Sequence, residues 1–123
     1  MENRSAGNDK KTLAVESVLE RLGGDKELLG EVVELFLAEV PEILTQLKKS
    51  LEAEDWKSAA KLAHTLKGSS SNVGAEKFAH LALILETESK EQDIEGAFRV
   101  YRQLNDEYLA VRQFVSDPGW IGK

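Results

Sequence analysis

The sequence contains no cysteine, only two prolines and no long apolar run. Without cysteine there is no disulfide framework, no thiolate zinc site and no cysteine nucleophile. No segment approaches the roughly 18 consecutive apolar residues of a membrane-spanning helix. Residues 1–11 are polar, whereas a secretory signal would carry an apolar stretch. We therefore expect a cytoplasmic protein that does not contact a membrane.

An excess of positive charge is also missing. The chain has 16 Lys and Arg against 22 Asp and Glu, which gives a net charge of −6. This is the wrong sign for a protein that neutralises nucleic-acid phosphates, so we expect no nucleic-acid partner. The length of 123 residues suffices for one hydrophobic core, so we expect a single domain and not a large multi-domain enzyme.

Strand signals are scarce, and apolar residues recur at helical spacing through most of the chain. The pattern predicts a short helix that ends at Gly23-Gly24 and four longer helices at about 25–53, 55–71, 76–91 and 93–116. Asp25 is placed to cap the second helix. Pro41 falls inside that helix, and we predict a kink near residues 37–41.

Short connections between the last four helices force neighbouring helices to be antiparallel. The fold class is therefore predicted to be all-α, an antiparallel up-down four-helix bundle with an additional short N-terminal helix. We divide the chain into a flexible N-terminal segment at 1–11, the bundle domain at 12–116 and a C-terminal tail at 117–123. We expect this domain to be a monomer.

The stretch 56–75 contains three lysines, one histidine and no acidic residue. Its net charge is +3, whereas the rest of the chain carries −9. A positive segment in an acidic protein indicates that an anionic group binds there. At 100° per residue, one stripe of the predicted helix contains Lys57, Lys61, His64, Gly68 and Ser71, and the opposite face contains Ala59, Leu62 and Leu66. His64 is thus predicted to face solvent.

A lone histidine on a helix is commonly an ordinary solvated side chain, but Gly68 argues for more. Glycine inside a helix costs about 1 kcal/mol relative to alanine. Gly68 lies one turn beyond His64, where the missing side chain would leave space beside the imidazole. Ala60 lies on the other side of His64, and three serines follow Gly68. These small side chains would allow the active site of another protein to approach His64 closely.

The run Ala63-His64-Thr65-Leu66-Lys67-Gly68, followed by Gly74-Ala75, resembles the A-H-x-L-K-G…G-A signature of histidine-containing phosphotransfer (HPt) domains. These domains are the phosphocarriers of multistep two-component phosphorelays. The similarity extends from the Leu-Gly-Gly-Asp run at 22–25 to Leu85-Glu86. It implies that His64 accepts a phosphoryl group from a receiver-domain aspartate and passes it to another receiver. The implied partners are receiver domains of response regulators and of hybrid sensor histidine kinases.

The resemblance also implies roles for neighbouring side chains. Lys67 would stabilise the phosphoryl oxygens, and Glu86 would orient the imidazole, since the family has Gln or Glu on the next helix at that position. We place Glu86 at the edge of the apolar face, partly exposed, where a solvated glutamate is the alternative. The implied surface for receiver docking consists of Ala60, Lys61, Gly68, Ser71, Ala82 and Leu83. For Lys61, an unremarkable solvated lysine is the alternative.

No phosphate-binding loop of the form G-x-x-x-x-G-K-[ST] is present, so ATP is not the expected phosphoryl donor. We expect the chain to be a phosphotransfer intermediate and not an enzyme, with no cofactor of its own and with Mg²⁺ supplied by the partner receiver. No metal site is expected, because there is no Glu-x-x-His motif and both His64 and His80 are predicted to face outward. The alternative function is a helical interaction domain without phosphotransfer.

Overall fold

The computed structural model of the chain describes residues 10–122, and within that range all regular structure is helical. A short helix, α1, spans Val15–Arg21. Four longer helices follow: α2 at Lys26–Glu52, α3 at Trp56–Asn72, α4 at Glu76–Lys90 and α5 at Ile94–Val115. The predicted all-α class is confirmed, and the predicted helix ends agree to within about two residues.

Helices α2 to α5 form an antiparallel bundle in which each packs on the next and α5 closes on α2. The core between them is aliphatic, with one aromatic pair: the rings of Phe36 and Phe78 meet edge to face with centroids 5.6 Å apart. Leu47, Leu66 and Leu104 are fully buried. The described part of the chain contains no helix that is long and apolar enough to span a membrane.

Aspartates cap three of the four bundle helices. Each carboxylate accepts a hydrogen bond from the backbone N–H three residues later, with Asp25, Asp55 and Asp93 starting α2, α3 and α5. Such caps satisfy donors that have no partner within the helix. The three loops of the bundle are three residues long, and the middle residue of each has a positive φ: +53° at Glu54, +77° at Gly74 and +58° at Gln92. These tight turns keep consecutive helices antiparallel.

Helix α2 continues through Pro41. Proline has no N–H, so the carbonyl of Leu37, four residues earlier, lacks its usual helical donor. The hydroxyl of Tyr108 on α5 donates to that carbonyl at 2.7 Å. A side chain from the facing helix thus supplies the bond that Pro41 removes, and the predicted kink stays a prediction.

Both ends of the described range, residues 10–122, lie against the bundle. The backbone N–H of Lys11 donates to Oε1 of Glu76 at 3.0 Å, and its carbonyl accepts from the N–H of Lys77 at 3.1 Å. The rest of the predicted flexible segment, residues 1–9, lies outside the described residues, so only Lys10 and Lys11 of it are seen. In the C-terminal tail, Trp120 and Ile121 are half-buried against the core, and the Trp120 ring meets that of Phe114 at 6.5 Å.

Candidate functional site

The exposed face of α3 presents the predicted acceptor histidine. Ala59, Ala63 and Leu66 are fully buried and fix the rotation of the helix on the bundle. That rotation turns His64 outward, and its side chain is 66% exposed. The imidazole therefore stands on a rigid helix while remaining accessible to a protein that docks on this face.

Glu86 on α4 lies directly beside this histidine. Its Oε2 is 3.3 Å from Nδ1 of His64, and its Oε1 is 3.3 Å from Nζ of Lys67. The structure thus brings together three residues that the sequence analysis had assigned to one site. The expectation that Glu86 is partly exposed was wrong: its side chain is only 12% exposed. The reason is that residues 82, 85, 86 and 89 share the buried side of α4.

The carboxylate of Glu86 is ionised despite this burial. Burial raises the pKa of the Glu86 carboxyl, because it disfavours the charged form. Hydrogen bonds and charges from Lys67 and Lys90 outweigh that effect and bring the pKa below its ordinary value. A permanent negative charge therefore sits next to Nδ1 of His64.

Lys90 is a site residue that the sequence analysis missed. Its Nζ lies 3.3 Å from Oε2 of Glu86, the same oxygen that faces His64. The pair has the i, i+4 spacing with the glutamate on the N-terminal side, which is the favourable orientation on a helix. Glu86 followed four residues later by Lys90 is the sequence signal that could have revealed it.

Gly68 lies one turn beyond His64 in an ordinary helical conformation. A Cβ built at Gly68 would meet nothing within 4 Å, so the space above it is open. The neighbouring Ser70 is buried and donates to the carbonyl of Leu66 at 2.6 Å, leaving the outer face of this turn low. Nothing in the packing of the bundle requires a glycine here.

The other residues predicted to form the docking surface divide into two groups. Lys61 and Ser71 are exposed, Ala60 is half-buried and Leu83 is 45% exposed. The prediction for Ala82 was wrong, because Ala82 is fully buried. It follows Phe78 by four residues and precedes Leu85 by three, a spacing that puts all three on the core side of α4.

His80, which was predicted to face outward, lies on α4 beside this face and is half-buried. It lines an open groove of about 700 Å³ between α1, α3 and α4, together with Arg21, Lys67, Ser71 and Leu83. Among residues 10–122, no three His, Asp or Glu side chains are grouped so that they could hold a metal ion.

Comparisons with known proteins point to one family. The family model described as the Hpt domain matches residues 31–114, well over half of the chain. Phosphorelay intermediate protein rdeA of Dictyostelium discoideum is 34% identical over 94 residues, covering 76% of this chain. Histidine-containing phosphotransfer protein 1 of Arabidopsis thaliana is 31% identical over 88 residues, covering 70% of this chain. The matches span 37% and 57% of the lengths of these two relatives.

A solved structure has the same fold. The crystal structure of a rice protein, described as a histidine-containing phosphotransfer protein, superposes with a TM-score of 0.68. The superposition covers 89% of this chain and 90% of the rice chain, with 19% sequence identity. At that identity the likeness establishes the shared helical fold.

Proposed function

The chain belongs to the Hpt domain family, and on that premise we propose that it is a phosphocarrier in a two-component phosphorelay. His64 accepts a phosphoryl group from a phospho-aspartyl receiver domain of a hybrid sensor kinase or response regulator. It then passes the group to the aspartate of another receiver. The observation that carries the proposal is the pairing of an exposed imidazole with the buried, ionised Glu86 at 3.3 Å from Nδ1.

That pairing prepares the imidazole for nucleophilic attack. A carboxylate beside Nδ1 favours the tautomer that carries its proton on Nδ1, which leaves the lone pair on Nε2. The Nε2 lone pair then forms a bond to phosphorus while the P–O bond to the donor aspartate breaks and its electrons return to that carboxylate. The ring becomes a phosphorylated imidazolium, and Glu86 stabilises its positive charge through Nδ1–H. Transfer onward is the same step in reverse.

Lys67 stabilises the transferred group. It follows His64 by three residues, so the two side chains are neighbours on the surface of α3. Oε1 of Glu86 positions the Lys67 Nζ at 3.3 Å. Because the Lys67 side chain is 32% exposed, its ammonium group can also contact a phosphoryl oxygen from the solvent side. An ammonium group binds such oxygens as a point charge.

The partner supplies the rest of the chemistry. We propose that Mg²⁺ is bound by the receiver and neutralises charge on the phosphoryl group during transfer. The receiver docks over Gly68, with Ala60, Lys61, Ser71 and Leu83 around it. One chain provides His64, Lys67 and Glu86, so the proposal requires only a monomer. The chain acts as an intermediate that is consumed and regenerated and has no enzymatic activity of its own.

Phosphoryl transfer from a labelled receiver tests this function. Incubation with a phosphorylated receiver and Mg²⁺ should place base-stable, acid-labile label on the wild-type chain and on His80→Gln, and none on His64→Gln. Binding of the receiver without transfer of label to the wild type would contradict the proposal and favour an interaction domain without phosphotransfer.

A further inference from the structure

Three groups that can carry a positive charge meet one carboxylate on the α3–α4 face. Lys67 contacts Oε1 of Glu86, whereas His64 and Lys90 both contact Oε2, each at 3.3 Å. Glu86 thus has a lysine ammonium group on each oxygen before His64 is considered. A single negative charge is therefore shared by two positive charges and an imidazole.

This sharing affects the proton on His64. A carboxylate with no other cation beside it would favour imidazolium over neutral imidazole, since an opposite charge within about 4–6 Å stabilises the charged form. Imidazolium has no lone pair and cannot attack phosphorus. Orientation by Glu86 and nucleophilicity of His64 are thus in conflict unless the negative charge of Glu86 is compensated.

We propose that Lys90 is a positioning residue that compensates the charge of Glu86, so that the carboxylate orients His64 without favouring its imidazolium form. Lys90 acts on the very oxygen that faces Nδ1, so it competes directly with the imidazole for Oε2. The inference deepens the proposed function and rests on it, because it concerns the state in which His64 accepts a phosphoryl group.

Lys90 is better suited to this task than Lys67. It lies on the same helix as Glu86 and one turn later, so its contact does not depend on how α3 and α4 pack. It is in the last turn of α4, where a cation is favoured by the helix dipole. Lys67 must also meet the incoming phosphoryl group, whereas Lys90 is free to remain on Glu86 throughout the transfer.

The inference predicts a specific interaction between two substitutions. Nitrogen-15 NMR of labelled histidine at pH 7 measures the ratio of imidazolium to neutral imidazole for His64 in the unphosphorylated chain. Lys90→Gln should raise that ratio about threefold, the effect of one partly exposed charge pair. Lys90→Arg should restore the wild-type ratio. In a Glu86→Gln background, which has no negative charge to compensate, Lys90→Gln should change the ratio by less than about 1.5-fold.

Phosphoryl acceptance should follow the same pattern. Lys90→Gln should slow the initial transfer from a phosphorylated receiver in proportion to the loss of neutral imidazole, which is less than about threefold, and Lys90→Arg should transfer at the wild-type rate. Lys77→Gln is the matched control, because it removes the same charge from the exposed surface of the same helix. It should leave both readouts unchanged.

An unchanged His64 ratio in Lys90→Gln would overturn the inference. So would an equal change in the wild-type and Glu86→Gln backgrounds, which would mean that Lys90 acts on His64 without the Glu86 carboxylate. These outcomes are separate from failure of the proposed function. If His64 is not the acceptor, label never reaches it, yet the NMR comparison of the unphosphorylated variants is unaffected.

Discussion

The middle of α3 and the turn that follows it both contain glycine, for opposite reasons. At Gly68 the backbone is ordinary helix and an added Cβ would meet nothing within 4 Å. At Gly74 the backbone has a φ of +77°, and an added Cβ would lie 2.5 Å from Cγ2 of Val18 and 3.3 Å from the backbone of Ala14. The Ala14 N–H also donates to the carbonyl of Gly74 at 2.8 Å. Gly74 is therefore required by the fold, whereas the function we propose places Gly68 in the docking surface.

Two carboxylates repeat this contrast between a site and a packing position. Glu86 is surrounded by Lys67, Lys90 and His64, and its pKa is lowered. On α5, burial raises the pKa of Glu107, the charge of Lys77 offsets this only in part, and Oε2 has no hydrogen-bond partner within residues 10–122. Burial acts on both groups in the same direction, and only the cations around Glu86 reverse it. The cationic neighbours of Glu86, and not its burial, therefore distinguish it from Glu107.

The largest effect is expected when Gly68 is filled. Gly68→Gln should reduce phosphoryl transfer by up to about a hundredfold, because a displacement of about 1 Å at the attacking atom is that costly. The melting temperature should stay the same or rise, since glycine is the poorer helix former by about 1 kcal/mol. Both quantities should be measured on one preparation. Normal transfer by Gly68→Gln would remove the distinction between the two glycines.

Gly74→Ala should produce the reverse result. An alanine in the left-handed conformation costs about 1–2 kcal/mol, and the clash with Val18 adds to this, so we expect a loss of at least about 2 kcal/mol in the free energy of unfolding. Urea titration measures it. Transfer per folded molecule should remain close to wild type. A variant as stable as wild type would show that Gly74 is not required by the docking of α1.

The two carboxylates should differ in their effect on transfer. Glu86→Ala should slow phosphoryl acceptance about tenfold, less than a full displacement of the nucleophile would. Glu86→Gln should recover much of the rate, since an amide oxygen can still accept from Nδ1–H. Glu107→Ala is the control and should transfer normally. Equal rates for Glu86→Ala and Glu107→Ala would leave Glu86 as an ordinary structural residue.

The smallest effect concerns pH and Glu107. Because its pKa is raised in the folded state, the folded chain binds this proton more tightly than the unfolded chain does. The stabilisation from protonated Glu107 is complete below the pKa of about 4.3 that a glutamate has in the unfolded chain, and it is lost as the pH rises through the pKa of Glu107 in the folded chain. The free energy of unfolding of Glu107→Gln relative to wild type should therefore rise between pH 4 and pH 7, by less than about 1 kcal/mol. Thermal melts across that range test this, and a gain that shrinks toward pH 7 would contradict it.

Local patterns were sufficient to predict the fold. Apolar residues at spacings of three and four marked the buried faces, and Asp25 was correctly identified as a cap. The turns at Glu54 and Gln92 could not be assigned from local preference, because neither residue type favours a positive φ. The role of Tyr108 beside Pro41 could not be predicted either, because its hydroxyl bonds the carbonyl of Leu37, which lies 71 positions earlier.

The site was only partly predictable for the same reason. The exposure of His64 and Gly68 follows from the register of a single helix. The burial of Glu86 and its contacts with His64 and Lys67 depend on the packing of α3 against α4, which one-helix periodicity does not specify. Ala82 was misplaced although its spacing from Phe78 already put it in the core.

The central claim is that Nε2 of His64 is the atom phosphorylated, with Nδ1 turned toward Glu86. Phosphorus-31 and nitrogen-15 NMR of the chain after transfer from a receiver tests it most directly, because the one-bond coupling identifies the nitrogen that carries phosphorus. We predict a single phosphorylated species with phosphorus on Nε2 of His64. Phosphorus on Nδ1 of His64, on His80 or on a carboxylate would contradict the account.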